Sequence, residues 1–376
     1  MSIKEIEKNK KYKITIFKGR IGSKQDFDYY TFYGTKKEAI LKEAEYKNKL
    51  KNNTYISNNN MNMSALCDEY LKFKKDKIAL KTYKTYEMYI NKYIIKCIGH
   101  IKIKNLNVKL LEDFYEDLKI NTTLSDLTIK HIYAIVNNVL SCAKKWGYVI
   151  LNVNENVEHI KVEKKEVQCY TPEEVQELIK VLKNEPIKYQ ALIFLAIDSG
   201  ARRGEITGLT WDDIDFENAT ININKITQYV KGYGIYEKEP KNKTSIRKVI
   251  ISETTINVLK EYEKKQLRLR LKLGNKWGNS KRVFTTDYGY DMHPDTPSKI
   301  LSSIIKKYNL RYINFHALRH TSISLQINND IPIQLISKRA GHSSTTITYN
   351  TYSHFFDDSF KGIAETMNTY LKDKTN

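Results

Sequence analysis

Cysteine is scarce in this chain. Cys67, Cys97, Cys142 and Cys169 lie far apart in 376 residues and form no CxxC pair. That spacing argues against a disulfide scaffold and a zinc ribbon and fits a reducing compartment, so the expected location is the cytoplasm. No run of roughly 18 apolar residues occurs, so no membrane-spanning helix is expected. The opening MSIKEIEKNKKYK has no apolar core and does not read as a secretory signal. Arginine is short as well, with 10 against 53 lysines, so a cluster of arginines carries more information than another lysine. Acid is in deficit throughout, and the net charge is +20.

That excess is spread along the chain: +7 over residues 1–60, +4 over 61–160 and +9 over the remainder. A charged tail would concentrate it; a polyanion tracked by the whole molecule would spread it. AT-rich coding offers a blander account, since Asn, Ile and Tyr are also abundant. Nucleic acid is the partner class that the charge favours.

Residues 11–18 and 27–33 alternate β-branched or aromatic with polar side chains and read as two short strands joined by a glycine-containing turn. A helix follows, with Thr35 and Glu38 spaced as a capping box. Residues 1–52 thus read as a small sheet backed by one helix, and 53–62 as a linker without apolar period. Residues 63–156 are helical in pattern. Tyr83, Tyr86, Tyr89, Ile90 and Tyr93 fall at helical spacing and read as core rather than as a base-stacking platform. The charged stretch 157–168 reads as a second linker. Thr171 as N-cap, Pro172 at N1, and Glu173 and Glu174 in the first turn open a third domain over 169–376. The fold class expected is mainly α with small antiparallel β-sheets, in three domains.

The third domain holds a series of short motifs. IDSGARRGEITGL places Gly200 before Arg202, Arg203 and Glu205. YEKEPKNKTSIRKVIIS reads as the return strand of a hairpin with Lys241 near its turn. NFHALRH sets His316 and Arg319 on one helix face, and RAGHSSTTITYNTYSH supplies His342, Tyr349 and Tyr352. With 27 tyrosines in the chain, two near the C-terminus mean little alone. On one unbroken helix Tyr349 would share the face of His342. Gly341, however, is a natural stop after a helix from Pro332, and Ser343 or Ser344 can cap a new one, so the face argument fails across that break.

Taken in order, these pieces resemble the tyrosine recombinases, in particular the integrases of temperate phages and conjugative transposons. The resemblance covers essentially the whole chain. It implies an arm-type DNA-binding domain over 1–52, a core-binding helical domain over 63–156 and a catalytic domain over 169–376 ending in a helix. It places the catalytic residues on Arg202, Lys241, His316, Arg319, His342 and, through the ending Tyr-Ser-His, Tyr352, with Glu205 supporting Arg202. Asn242 replaces the usual threonine of the lysine motif, and Lys243 lies close by. The function implied is integration and excision of a mobile element through a 3′-phosphotyrosine and a Holliday junction. The partners implied are double-stranded attachment sites of core and arm type, a homotetramer on DNA, an excision directionality factor and a host DNA-bending protein. A type IB topoisomerase and a non-catalytic DNA-binding regulator share the scaffold and are the rival readings.

The residue types suit that chemistry independently. A phosphoryl transfer needs an in-line nucleophile and stabilisation of added negative charge. Two permanently charged guanidinium forks can clamp non-bridging oxygens, histidines can donate or move a proton, and a lysine can protonate the departing oxygen. A metal is the alternative source of positive charge, because His316 and His320 stand at i, i+4. No glutamate follows His316, however, and Arg319 on the same face opposes a cation. No cofactor and no metal are expected.

Overall fold

The computed structural model describes residues 2–8, 10–21, 24–51, 60–162, 167–240, 243–353 and 371. The chain divides into two compact units, Met1–Lys164 and Lys165–Asn376. Lys241, most of the segment 53–62, part of 157–168, and the C-terminal helix expected around Phe360, Ile363 and Met367 lie outside the described residues.

The first unit opens with an antiparallel sheet in the order β1 (Ser2–Glu7), β2 (Lys11–Ile21), β3 (Lys24–Tyr33). Tyr12, Ile14 and Ile16 alternate along β2 and are buried, as period-two patterning demands. Sequence reading missed β1: its SIKEIE face is largely exposed, so it carries no alternating apolar signal. Helix α1 (Lys36–Lys51) is capped as expected, with the Glu38 carboxylate accepting from the Thr35 backbone N–H at 2.8 Å.

The helical part comprises α2 (Met63–Lys74), α3 (Leu80–Tyr89), a π-helical turn over Ile90–Ile95, α4 (Lys96–Ile98), α5 (Val108–Asn121) and α6 (Asp126–Lys145). α3, the π turn and α4 follow one another without a gap, one helical run that ends at Gly99. A side chain at Gly99 would meet the Ile95 carbonyl at 2.3 Å, so the chain closes tightly there only because the residue is glycine. Ile90 is fully buried, and Tyr83, Tyr86, Tyr89 and Tyr93 pack half-buried against the same core, in keeping with a packing role.

The second unit runs α7 (Pro172–Leu182), α8 (Ile187–Ser199), α9 (Arg203–Gly208), β4 (Ile214–Asp215), β5 (Thr220–Ile223), β6 (Ile226–Val230), β7 (Gly234–Lys238), β8 (Arg247–Ile250), α10 (Glu253–Leu273), α11 (Thr296–Lys307), α12 (Phe315–Asn328), α13 (Ile333–Ala340) and α14 (Thr345–Tyr352). Thr171 and Glu174 close a reciprocal capping box on α7 with Pro172 at its start. Leu192, Leu195, Ile206, Ile221, Leu259, Phe284, Leu301 and Leu318 belong to one buried core. Gly204 lies close under β6: a Cβ there would meet the Thr227 carbonyl oxygen at 2.8 Å, which is why α9 can sit flat on that strand.

The stretch 236–252 is not one return strand. β6 and β7 form their own hairpin, turning at Lys231–Tyr233, while β8 pairs with β5 in a separate sheet of order β4-β5-β8. Lys241 therefore falls between β7 and β8, beyond the hairpin turn. The polar run EPKNKTS has no alternation to carry β7 onward.

Candidate active site

Three helix ends converge. The left-handed turn at Gly200 (φ +60°) ends α8 and delivers Arg202 to the N-cap of α9. Asn314 caps α12, its side chain accepting from Ala317 N–H at 3.1 Å, so His316 sits in the first turn, near the positive pole of that helix. α13 ends at Gly341 (φ +70°), and α14 starts afresh at Thr345. The expected break between them is present, although Ser344, in the N-cap position, makes no side-chain cap.

The arginines are held by the ends of these helices. Glu205 is fully buried, and its Oε1 accepts from Arg202 Nη1 at 2.9 Å. Its Oε2 accepts the Arg202 backbone N–H at 2.8 Å and Arg247 Nη2 at 3.0 Å. Burial raises the Glu205 pKa, but the charges of Arg247 and then Arg202 outweigh it and hold the carboxyl below its usual range. Arg319 is buried and donates to the Gly200 and Ala340 carbonyls, both at 2.7 Å. Burial and then Arg202 lower its pKa to about 10, which still leaves it charged at neutral pH.

The histidines stand beside this cluster. His316 keeps an exposed edge, but the protein around its ring, then Arg319 and Arg202, push its imidazolium form down. Its ring meets that of His320 edge-on at 4.7 Å between centroids. His342 Nδ1 lies 2.7 Å from the Thr348 hydroxyl. If that hydroxyl donates, Nε2–H is the donor the ring keeps. Burial first, then the neighbouring guanidiniums, lower His342 to about 4, and burial, then His316 and Arg319, do the same for His320.

A pH dependence of stability follows. Unfolded histidine titrates near 6.5. Below that value the unfolded chain takes up protons that the folded one refuses until about pH 4. The stability that keeping these two rings neutral contributes is therefore full above about 6.5 and falls as the pH drops toward about 4. Urea midpoints measured across that window are expected to decline, and to decline less steeply in His342→Gln; identical slopes would contradict the assignment.

Thr348 and Tyr352, one turn apart, form the buried face of α14. Tyr352 is 1% exposed and packs with Ile323, Ile327, Ile336 and Ala340, whereas Tyr349 is 53% exposed. The Tyr352 hydroxyl lies 2.5 Å from His320 Nδ1. Burial raises its pKa, so it is stored as a neutral phenol.

The structure thus brings together Arg202, Glu205, His316, Arg319, His342 and Tyr352 from segments up to 150 residues apart in the sequence. Sequence reading missed two neighbours of the site. Arg247 reads as one more base in a lysine-rich strand. His320 was weighed only as a metal ligand, though its place one residue after Arg319 was the available signal. Among the described residues no three His, Cys, Asp or Glu side chains converge to hold a metal.

A mainly helical chain with small antiparallel sheets, and arginines and histidines gathered beside a buried tyrosine, defines the class of tyrosine-type DNA strand transferases. Residues 168–358 match the model described as the phage integrase family, and 62–119 match the phage integrase N-terminal SAM-like domain. The chain belongs to the phage integrase family and is a tyrosine recombinase. It is 30% identical to a XerC-like tyrosine recombinase of Caldanaerobacter subterraneus, over 90% of each chain. It is 24% identical to the ICEBs1 integrase of Bacillus subtilis, over 90% of this chain and 91% of the relative. The Tn1549 transposon integrase, solved with a circular intermediate DNA, superposes with a TM-score of 0.68 at 20% identity, over 82% of this chain and 99% of that one. Among the described residues no helix is long and apolar enough to cross a membrane.

Proposed function

We propose that this recombinase cuts and rejoins double-stranded DNA at two specific sites through a 3′-phosphotyrosine on Tyr352 and a Holliday junction, integrating and excising a mobile element. The observation that carries this reading is the buried Glu205, which aligns Arg202 beside Arg319 within the unit that also bears Tyr352. Two guanidiniums so placed clamp the non-bridging oxygens of the scissile phosphate and stabilise the charge added in the transition state. His316 and His342, neutral at physiological pH, donate hydrogen bonds to the same oxygens. Lys241 protonates the departing 5′ oxygen. The phosphotyrosine conserves the energy of the broken bond, so rejoining needs no ATP.

The Tyr352 hydroxyl rests against His320 and its ring lies in an apolar cluster, which it leaves to attack. Exposing a side chain of that size costs about 1.5–3 kcal/mol, an amount that DNA contacts can offset. Residues 1–52 engage arm sites and 63–156 core sites, and the active assembly is a tetramer on DNA. A two-site recombination assay run beside relaxation of a supercoiled plasmid tests the reading. Exchange between sites is expected; relaxation without exchange would establish the topoisomerase reading instead, and neither reaction would leave a binding regulator.

A further inference from the structure

We propose that Arg247 is a positioning residue of the strand-transfer reaction: acting through Glu205 and the end of α13, it holds Arg202 in the attitude that meets the scissile phosphate. The proposal rests on the reading of Arg202 as a phosphate clamp.

Burial separates the two arginines that share Glu205. The Arg202 side chain is 37% exposed, whereas that of Arg247 is 6% exposed. Of the two, Arg202 turns toward the surface, and Arg247, with all three guanidinium nitrogens bonded inward, acts through its neighbours. Its remaining donors are committed inward, Nε to the Arg339 carbonyl at 2.7 Å and Nη1 to the Ser245 carbonyl at 3.0 Å. The pattern at α13 is regular. Three consecutive carbonyls, of Arg339, Ala340 and Gly341, accept from Arg247, Arg319 and Arg202 in turn, the last at 3.5 Å. These carbonyls stand at the negative end of the helix, where its last turn leaves acceptors without intrahelical donors. Gly341 makes room for the arrangement, since a Cβ there would lie 2.8 Å from Arg247 Nη1. Arg247 is also the first residue of β8, paired with Ile223, so the anchor stands on a sheet.

The consequence is geometric. A buried carboxylate with one cationic partner tends to take it as a two-bond fork. Arg247 occupies Oε2 beside the Arg202 backbone N–H and so keeps the Arg202 guanidinium on Oε1, with more than a third of the side chain exposed. Without Arg247, Glu205 would draw Arg202 inward, away from the phosphate.

The test uses the full-length protein and a nicked duplex copied from the end junction of the element that carries the gene. The duplex is made with either a phosphate or a methylphosphonate at the position where wild type forms its adduct. A methylphosphonate lacks one charged non-bridging oxygen and so depends less on the clamp. Arg247→Gln is expected to cleave the phosphate duplex about 10²-fold more slowly, the scale of a reacting group displaced by about 1 Å, with DNA binding at the wild-type level. On the methylphosphonate its deficit should shrink in parallel with that of Arg202→Gln. If Arg247→Gln does not fold, Arg247→Lys serves. It keeps the charge, but a single amine cannot reproduce the spread of a guanidinium across Glu205 and two carbonyls, so it should show the same narrowing. An equal deficit on both duplexes, or none, overturns the proposal. Absence of any wild-type adduct would overturn instead the reading of the site on which it rests.

Discussion

Tyr352→Phe is expected to form no covalent adduct with DNA, while Tyr349→Phe forms one as wild type does. The two tyrosines stand three residues apart on α14, but the fold treats them differently. Tyr352 shares the buried face with Thr348 and reaches His320 Nδ1, and Tyr349 is 53% exposed. Removing the Tyr352 oxygen keeps the ring in its cluster with Ile323, Ile327, Ile336 and Ala340, so the domain should stay folded. DNA binding should survive too, because it rests on a charge excess spread along the chain. Cleavage should vanish, since an attacker misplaced by even about 1 Å can cost about 10²-fold, and Tyr349 lies on another face of its helix. A nicked suicide duplex, from which the short leaving fragment diffuses away, traps the adduct for detection in SDS. An adduct lost only in Tyr349→Phe would reverse the assignment.

Lys241→Ala is expected to slow cleavage by about 10²–10⁴-fold, the usual contribution of a positioned proton donor. A duplex with sulfur in place of the bridging 5′ oxygen should restore most of that rate, because a thiolate leaves without being protonated. Lys243→Ala should do less and be rescued less. The contrast matters because the segment between β7 and β8 carries two lysines, and Asn242 stands where the related motif has threonine. Rescue confined to Lys243→Ala would move the general acid two residues along.

Much of the scaffold was legible because its signals are local. The capping boxes at Thr35 and Thr171 and the stop at Gly341 each rest on bonds between residues three or four apart. Where signals were weak or absent the reading went astray. β1 has no buried alternation. The polar segment after Lys238 does not disclose that β8 leaves the hairpin to pair with β5, because register across a chain reversal depends on partners far away in sequence.

The site divides along the same line. The inventory is local: two arginines flanked by glycine and histidine motifs, the break after Ala340, and a tyrosine followed by Ser-His can all be read along the chain. Tertiary structure decided how those residues are used. A buried carboxylate must be compensated, and which of ten arginines compensate Glu205 depends on which helix and strand ends meet there. Arg247 holds that position because β8 packs against the end of α13, a contact between residues 92 apart that no local pattern announces. The resting place of Tyr352 on His320 has the same origin. It depends on α14 folding back over α12, and helix period alone would have favoured Tyr349.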